Sequence, residues 1–189
     1  GTTLKVAGSP AAFRAVDLDA VLAFAQAAQA AGVQRFAVVS ALGADLRSRQ
    51  LYNRTKGEME QALRELGFNR VSFGVQDLDE GVQALITRGQ TWEHTLTAIK
   101  QCRELGFEGV NLDLVYGLPG QTMDTFRRTL EATLELSPDR MAIYGFAYLP
   151  SIMPFQRSIP AETLPSPDLR LDLLLMASDI LEKSGYVAI

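Results

Sequence analysis

The chain is poor in the residues that build metal and redox centres. Among its 189 residues there is one cysteine, Cys102, and one histidine, His94. A lone cysteine excludes an internal disulfide and any site that needs several thiolates, zinc or iron–sulfur alike. No run of about 18 apolar residues occurs, so no membrane-spanning helix is expected. The first residues lack a basic region followed by an apolar core, and no secretory leader is expected. Charge of one sign is also missing. Lys and Arg number 18 against 22 Asp and Glu, a net charge of −4 that argues against a general partner among nucleic acids or anionic membranes. These absences lead to the expectation of a cytoplasmic protein.

What is present is the composition of a globular core, with 47% hydrophobic and 21% charged residues. A short pattern recurs: an amphipathic stretch, a glycine, then a β-branched or aromatic run. It appears around Gly32, Gly67, Gly106 and Gly185, with Ser137-Pro138-Asp139 supplying a further join. A glycine just past a helix accepts the left-handed conformation that ends it. The spacing suits βα units.

Helical periodicity predicts helices over residues 17–31, 47–66, 91–105, 122–136 and 167–184. Apolar runs predict strands over 36–40, 71–75, 110–116 and 141–146, with a further short run at 186–189. Alternation of this kind implies an α/β fold, a single parallel sheet of about four to six strands covered by helices. We expect one domain over residues 1–189, either an open Rossmann-like sheet or a partial β/α barrel. The open edges of such a sheet leave a homodimer as one expectation. Cys102 falls mid-helix and reads as a small core residue; His94 reads as a surface residue near a helix start, and Trp92 as a cap on an apolar face.

Two stretches carry family likenesses. Residues 1–68 contain Gly1-Thr2-Thr3, Asp17 before an Ala-rich helix, Phe36-Ala37-Val38-Val39-Ser40-Ala41-Leu42-Gly43, and Tyr52-Asn53-Arg54-Thr55-Lys56. This resembles the atypical short-chain dehydrogenase/reductases, NAD(P)-binding Rossmann proteins. The resemblance implies Tyr52 as proton donor or acceptor, Lys56 as its activator and Ser40 as the group that orients the substrate carbonyl. Positions 52 and 56 share a helix face, and a nearby cation favours a phenolate. The Gly-rich turn that would hold a dinucleotide is missing.

Residues 69–189 contain Val71-Ser72-Phe73-Gly74-Val75-Gln76-Asp77, Arg88, Asn111-Leu112-Asp113-Leu114-Val115-Tyr116-Gly117-Leu118-Pro119-Gly120-Gln121-Thr122 and Ala147-Tyr148-Leu149-Pro150. This resembles the oxygen-independent coproporphyrinogen III oxidases, radical S-adenosylmethionine enzymes on a partial β/α barrel. The resemblance implies that Gln76, Arg88, Asp113 and Ala147 line an S-adenosylmethionine pocket. The three-cysteine loop for the iron–sulfur cluster is missing.

Because the likenesses change over at a shared helix–Gly–strand join and each lacks cofactor machinery, the sequence leads to a specific expectation. It is an engineered or recombined chimera without a complete catalytic site, a folding scaffold that is not an enzyme and holds no cofactor. Ser40, Tyr52 and Lys56 would then be relics. The alternative is a vestigial binder of S-adenosylmethionine or NAD(P) without catalysis.

Overall fold

The computed structural model describes residues 2–33, 35–41 and 43–189. Gly1 and Leu42 of the dehydrogenase-like motifs, and Gln34 of the first helix–strand join, lie outside the described residues. The chain divides into two compact units. One comprises Gly1–Arg70 with Thr97–Glu108, the other Val71–Leu96 with Gly109–Ile189.

The first unit is helical. Short helices α1 (Leu4–Ala7) and α2 (Pro10–Arg14) lead through a π-turn at Ala15–Asp19 into α3 (Ala20–Ala30), and α4 follows at Leu51–Glu65. Ser9 starts α2 by accepting the Ala12 N–H at 3.1 Å, with Pro10 at the first helical position. Leu18, Ala25, Met59 and Leu63 form the core, against which Phe36, Val38, Leu66 and Phe68 pack.

The expected strand at 36–40 belongs to no sheet among the described residues. Phe36 and Val38 turn inward while Ala37 and Val39 face out, the alternation of a strand. No described strand lies beside it to complete a ladder, so the pattern packs on helices instead. The single sheet was expected to include this strand from residues 1–68; among the described residues it takes none from that stretch.

The second unit is α/β. Its strands are β1 (Arg70–Gln76), β2 (Gly109–Tyr116) and β3 (Arg140–Gly145), in the order β1-β2-β3. The sheet is parallel: Asn111 pairs with Arg140, and the register runs on to Tyr116 opposite Gly145. Helices α5 (Glu80–Leu85), α7 (Met123–Glu135) and α8 (Pro167–Lys183) belong to this unit, whereas α6 (Trp92–Glu104) is divided, its residues from Thr97 onward falling in the first unit. The α/β class with a parallel sheet stands as expected, and among the described residues the sheet has three strands. Residues 186–189 form no strand; Tyr186 instead donates its hydroxyl to the Pro138 carbonyl at 2.5 Å.

Local signals placed these elements well. Thr122 and Thr125 cap α7 reciprocally, and Ser166 with Pro167 starts α8. Gly67 and Gly106 sit at φ of +94° and +88°, the left-handed region in which a side chain is strained. Ser137, at φ +50°, makes the corresponding turn before β3.

The sheet buries one face. Phe73 and Val75 of β1 and Val110, Leu112 and Leu114 of β2 are all buried, as are Phe126 and Leu130 of α7 and Leu173 of α8. The opposite face carries Ser72, Gly74, Gln76, Asn111, Asp113 and Val115, all partly or wholly exposed. No helix of the described residues is long and apolar enough to cross a membrane.

Candidate functional site

The open face of the second unit is polar because β1 and β2 alternate. Side chains two apart on a strand share a face, so Asn111 and Asp113 emerge together between the buried Val110, Leu112 and Leu114. Asp113 accepts from Asn111 Nδ2 at 2.6 Å and from Ser72 Oγ on β1 at 3.2 Å, while Asn111 Nδ2 also donates to Ser72 Oγ at 2.9 Å. A triangle of three polar side chains thus spans two strands.

Further along β1, Gln76 and Arg88 converge over Gly74. The Arg88 guanidinium donates to the Gly74 carbonyl at 2.6 Å and to Gln90 Oε1 at 3.2 Å. A methyl group built on Gly74 would stand 2.7 Å from Gln76 Nε2 and 3.9 Å from Arg88 Nη2. The absence of a side chain at 74 is what lets the Gln76 amide lie against the strand, whereas Arg88 would remain in ordinary contact. Ala147 follows β3 as an exposed residue whose carbonyl accepts from the buried Gln156 at 2.9 Å. The structure therefore brings Gln76, Arg88 and Asp113 onto one sheet face and puts Ala147 beyond the C-terminal end of a neighbouring strand. Parallel α/β proteins place ligands at that end of their strands.

Sequence reasoning passed over the groups behind this face. Asp77 is fully buried, and its carboxylate accepts from Thr129 Oγ1 at 2.6 Å, Gln121 Nε2 at 2.6 Å and the Asp79 N–H at 2.8 Å. Burial pushes its pKa up against these hydrogen bonds, and the Asp79 charge adds to the rise. Beside it, Gln83 Nε2 donates to the carbonyls of Asp77 and Gln90, and Gln90 Nε2 donates to Thr95 Oγ1 at 2.9 Å. The available signal was a carboxylate directly after a strand, with an amide at the end of Gly117-Leu118-Pro119-Gly120-Gln121.

A cleft of about 590 Å³ opens elsewhere in this unit. Leu78, Asp79, Trp92, Arg128 and Thr129 are among its walls, and none of the four expected ligand positions is. Trp92 is half-buried there, its Nε1 donating to the Ala132 carbonyl at 3.2 Å.

In the first unit, Tyr52 and Lys56 lie on α4 as their spacing implies, but not as a proton-transfer pair. Lys56 Nζ is 5.9 Å from the Tyr52 ring centroid and is bound instead to Asp17 Oδ1 at 2.7 Å, both side chains being almost wholly buried. Burial alone would raise the Asp17 carboxyl; the Lys56 ammonium and the Thr2 N–H outweigh it and hold the group below its ordinary value. Ser40 donates to Glu60 at 2.5 Å. Burial raises Glu60, with Ser40 and Lys56 pulling the other way. Tyr52 packs against Phe13 at 5.8 Å between centroids. All three positions have packing or structural partners, and the geometry does not assemble them.

The residues present do not fit an iron–sulfur cluster. Cys102 is 2% exposed, and burial together with the Glu60 charge pushes its thiol up to about 12, far from the thiolate a cluster requires. Among the described residues, no group of three His, Cys, Asp or Glu side chains could hold a metal ion. The Gln76, Arg88 and Asp113 set is of another kind. Its amide, guanidinium and carboxylate suit a small ligand bearing ammonium, carboxylate and hydroxyl groups.

Comparison with known proteins decides the family. Residues 31–133 match the Radical SAM superfamily. The chain belongs to that superfamily. The match begins inside the stretch that resembles a dehydrogenase and runs across the expected join at residues 68 and 69. It overturns the reading of a two-parent design scaffold, and membership of an enzyme superfamily overturns the reading of a non-enzyme.

Among relatives, oxygen-independent coproporphyrinogen III oxidase of Pseudomonas aeruginosa is 48% identical over 124 residues, 66% of this chain and 27% of that protein. The Escherichia coli protein of the same name is 45% identical over 124 residues, again 66% and 27%. A solved structure of Escherichia coli coproporphyrinogen III oxidase, described as a radical SAM enzyme, superposes with a TM-score of 0.65 at 43% identity, covering 69% of this chain and 30% of that one. The chain thus spans little more than a quarter of the length of these curated relatives.

Proposed function

We propose that this chain supplies the S-adenosylmethionine-holding face of a radical SAM enzyme of the oxygen-independent coproporphyrinogen III oxidase kind. The observation that carries the reading is the polar, partly exposed face of the parallel sheet, on which Asp113 is bonded to Ser72 of β1 while Gln76 and Arg88 lie over Gly74 of the same strand. Parallel α/β sheets bind ligands beyond the carboxyl ends of their strands, the end of β1 at which Gln76 stands. The identity of 48% and 45% to relatives of that name supports the choice of ligand.

When bound, S-adenosylmethionine supplies radical chemistry to such enzymes; this chain's own residues would bind and orient it. In this reading the Asp113 carboxylate receives the ligand's ammonium or ribose hydroxyls, and Ser72 and Asn111 fix its orientation. Gln76 offers an amide to the same ligand, and Arg88 a cation for its carboxylate. Ala147 borders the site from the end of β3. The cluster is outside what these residues can hold, and the proposal assigns them no electron transfer.

The test is titration calorimetry of the full chain with S-adenosylmethionine. Saturable binding that weakens at least tenfold in Asp113→Ala is expected. A cooperatively folded wild-type chain that gives no saturable heat, or an Asp113→Ala variant that binds as well as wild type, would overturn the reading.

A further inference from the structure

Gln76 adopts φ +71°, a left-handed conformation disfavoured for any residue with a Cβ. The Asp77 N–H donates to the Val75 carbonyl at 3.0 Å, closing a tight three-residue turn around it. Such strained conformations persist only where neighbouring structure over-determines them. The residue next to Gln76, Asp77, has its carboxylate bound by three donors. We propose that buried Asp77 is a positioning residue that clamps the end of β1 to the end of β2, holding Gln76 in its strained turn toward the ligand face. The proposal rests on the reading of that face as the S-adenosylmethionine site.

The clamp draws on several elements. Thr129 comes from α7, the Asp79 N–H from the start of α5, and Gln121 from the β2–α7 connection. The Asp77 carbonyl takes Gln83 Nε2 of α5 at 2.9 Å. Gln121 is itself bound at both ends. Its Oε1 accepts the N–H groups of Gly117 and Leu118 at 2.6 and 3.3 Å, and its Nε2 also donates to the Val115 carbonyl at 3.0 Å. The chain of contacts therefore runs from Gln76, through Asp77 and Gln121, to the end of the strand that carries Asp113.

The chemistry calls for a carboxylate in particular. All three partners of the Asp77 carboxylate donate, so both oxygens must accept. An asparagine of the same size would turn an amide N–H toward a donor and break one side of the clamp. All of these donors are uncharged, an expensive setting for a buried carboxylate and one that packing alone does not explain.

Two measurements on the full chain test the proposal. The first needs no ligand: the Gln76 Cα and Cβ chemical shifts report its left-handed φ. Asp77→Asn should lose that signature while the amides of β2 and β3 keep theirs. Thr129→Val, which at near-constant volume removes one donor to Asp77 together with the acceptor of the Leu78 N–H, should weaken it. The second is a double-mutant cycle with S-adenosylmethionine. Asp77→Asn should lower affinity about tenfold in the wild-type background and by less than twofold in Gln76→Ala, because both act through one group. A general loss of structure would be additive.

A left-handed signature that survives in folded Asp77→Asn overturns the proposal, as does an additive cycle. If Asp77→Asn fails to fold, the Thr129→Val shifts decide in the same way. If wild type binds no S-adenosylmethionine, the ligand reading falls, and the Gln76 shifts alone decide whether Asp77 is the clamp.

Discussion

Lys56 Nζ sits 2.7 Å from Asp17 Oδ1 across 39 residues of sequence, with 5% and 1% of the two side chains exposed. The pair joins α4 to the π-turn and occupies the one lysine that a dehydrogenase-like reading would have given to Tyr52. Removing one member strands the other as a buried, uncompensated charge, at a cost of about 3–5 kcal/mol. Lys56→Met should therefore unfold readily in urea, and the double variant Lys56→Met/Asp17→Leu should recover most of the loss. Denaturation midpoints of the three proteins check this. A single variant as stable as wild type would show that the pair is open to water.

Gly74→Ala separates the site from the fold. Gly74 has no positive φ, so alanine is not strained there, but its methyl meets the flexible end of Gln76 at 2.7 Å. The melting temperature should stay within a few degrees of wild type. Loss of the Gln76 contact should weaken S-adenosylmethionine binding roughly two- to tenfold, the worth of one hydrogen bond. Calorimetry beside a thermal melt reads both. Unchanged affinity would remove Gln76 from the site.

Cys102 should be inert in the native chain. The thiolate is the reactive form, and the thiol is both buried and pushed up to about 12. A chromogenic disulfide reagent at neutral pH should leave it unlabelled until denaturant is added. Fast labelling under native conditions would mean that α6 opens readily.

Acid should act in two directions. Asp77 and Glu60 are raised in the folded state, so their contribution to stability is greatest when protonated and is lost as pH rises through the raised values. Asp17 is lowered, so its contribution is present above the ordinary carboxylate value and is lost as pH falls through the lowered one. Melting temperature should rise from neutral into mildly acidic solution and fall in stronger acid. Asp77→Asn and Glu60→Gln should each flatten the mild-acid rise. A profile unchanged in both variants would show that neither carboxylate is shifted.

Much of the second unit was legible from local chemistry. The expected strands at 71–75, 110–116 and 141–146 lie within a residue of β1, β2 and β3, and the expected helices at 91–105, 122–136 and 167–184 match α6, α7 and α8 equally closely. Caps at Thr122 and Ser166 and left-handed glycines act over a few residues, so sequence displays them directly. The alternation of Asn111 and Asp113 with buried Val110, Leu112 and Leu114 was also in plain view.

The missing cysteines were equally plain in the sequence, but the conclusion drawn from them was wrong. A lost cluster loop and a missing glycine turn led to an inert chimera, whereas the superfamily match extends from 31 to 133 through the supposed join. Local motifs report on individual sites; family membership is carried by similarity spread along the whole matched stretch.

By itself, the sequence determined the α/β class, the positions of most helices and strands, and the residue types available to a ligand. Tertiary structure alone decided that residues 36–40 remain outside a sheet, that Lys56 answers Asp17, and that Asp77 is bound by Gln121 and Thr129. The physical reason is range. Caps and periodicity are written in neighbouring residues, whereas a ladder needs a second strand and a buried carboxylate needs donors, and here the side-chain donors lie 39 to 52 residues away.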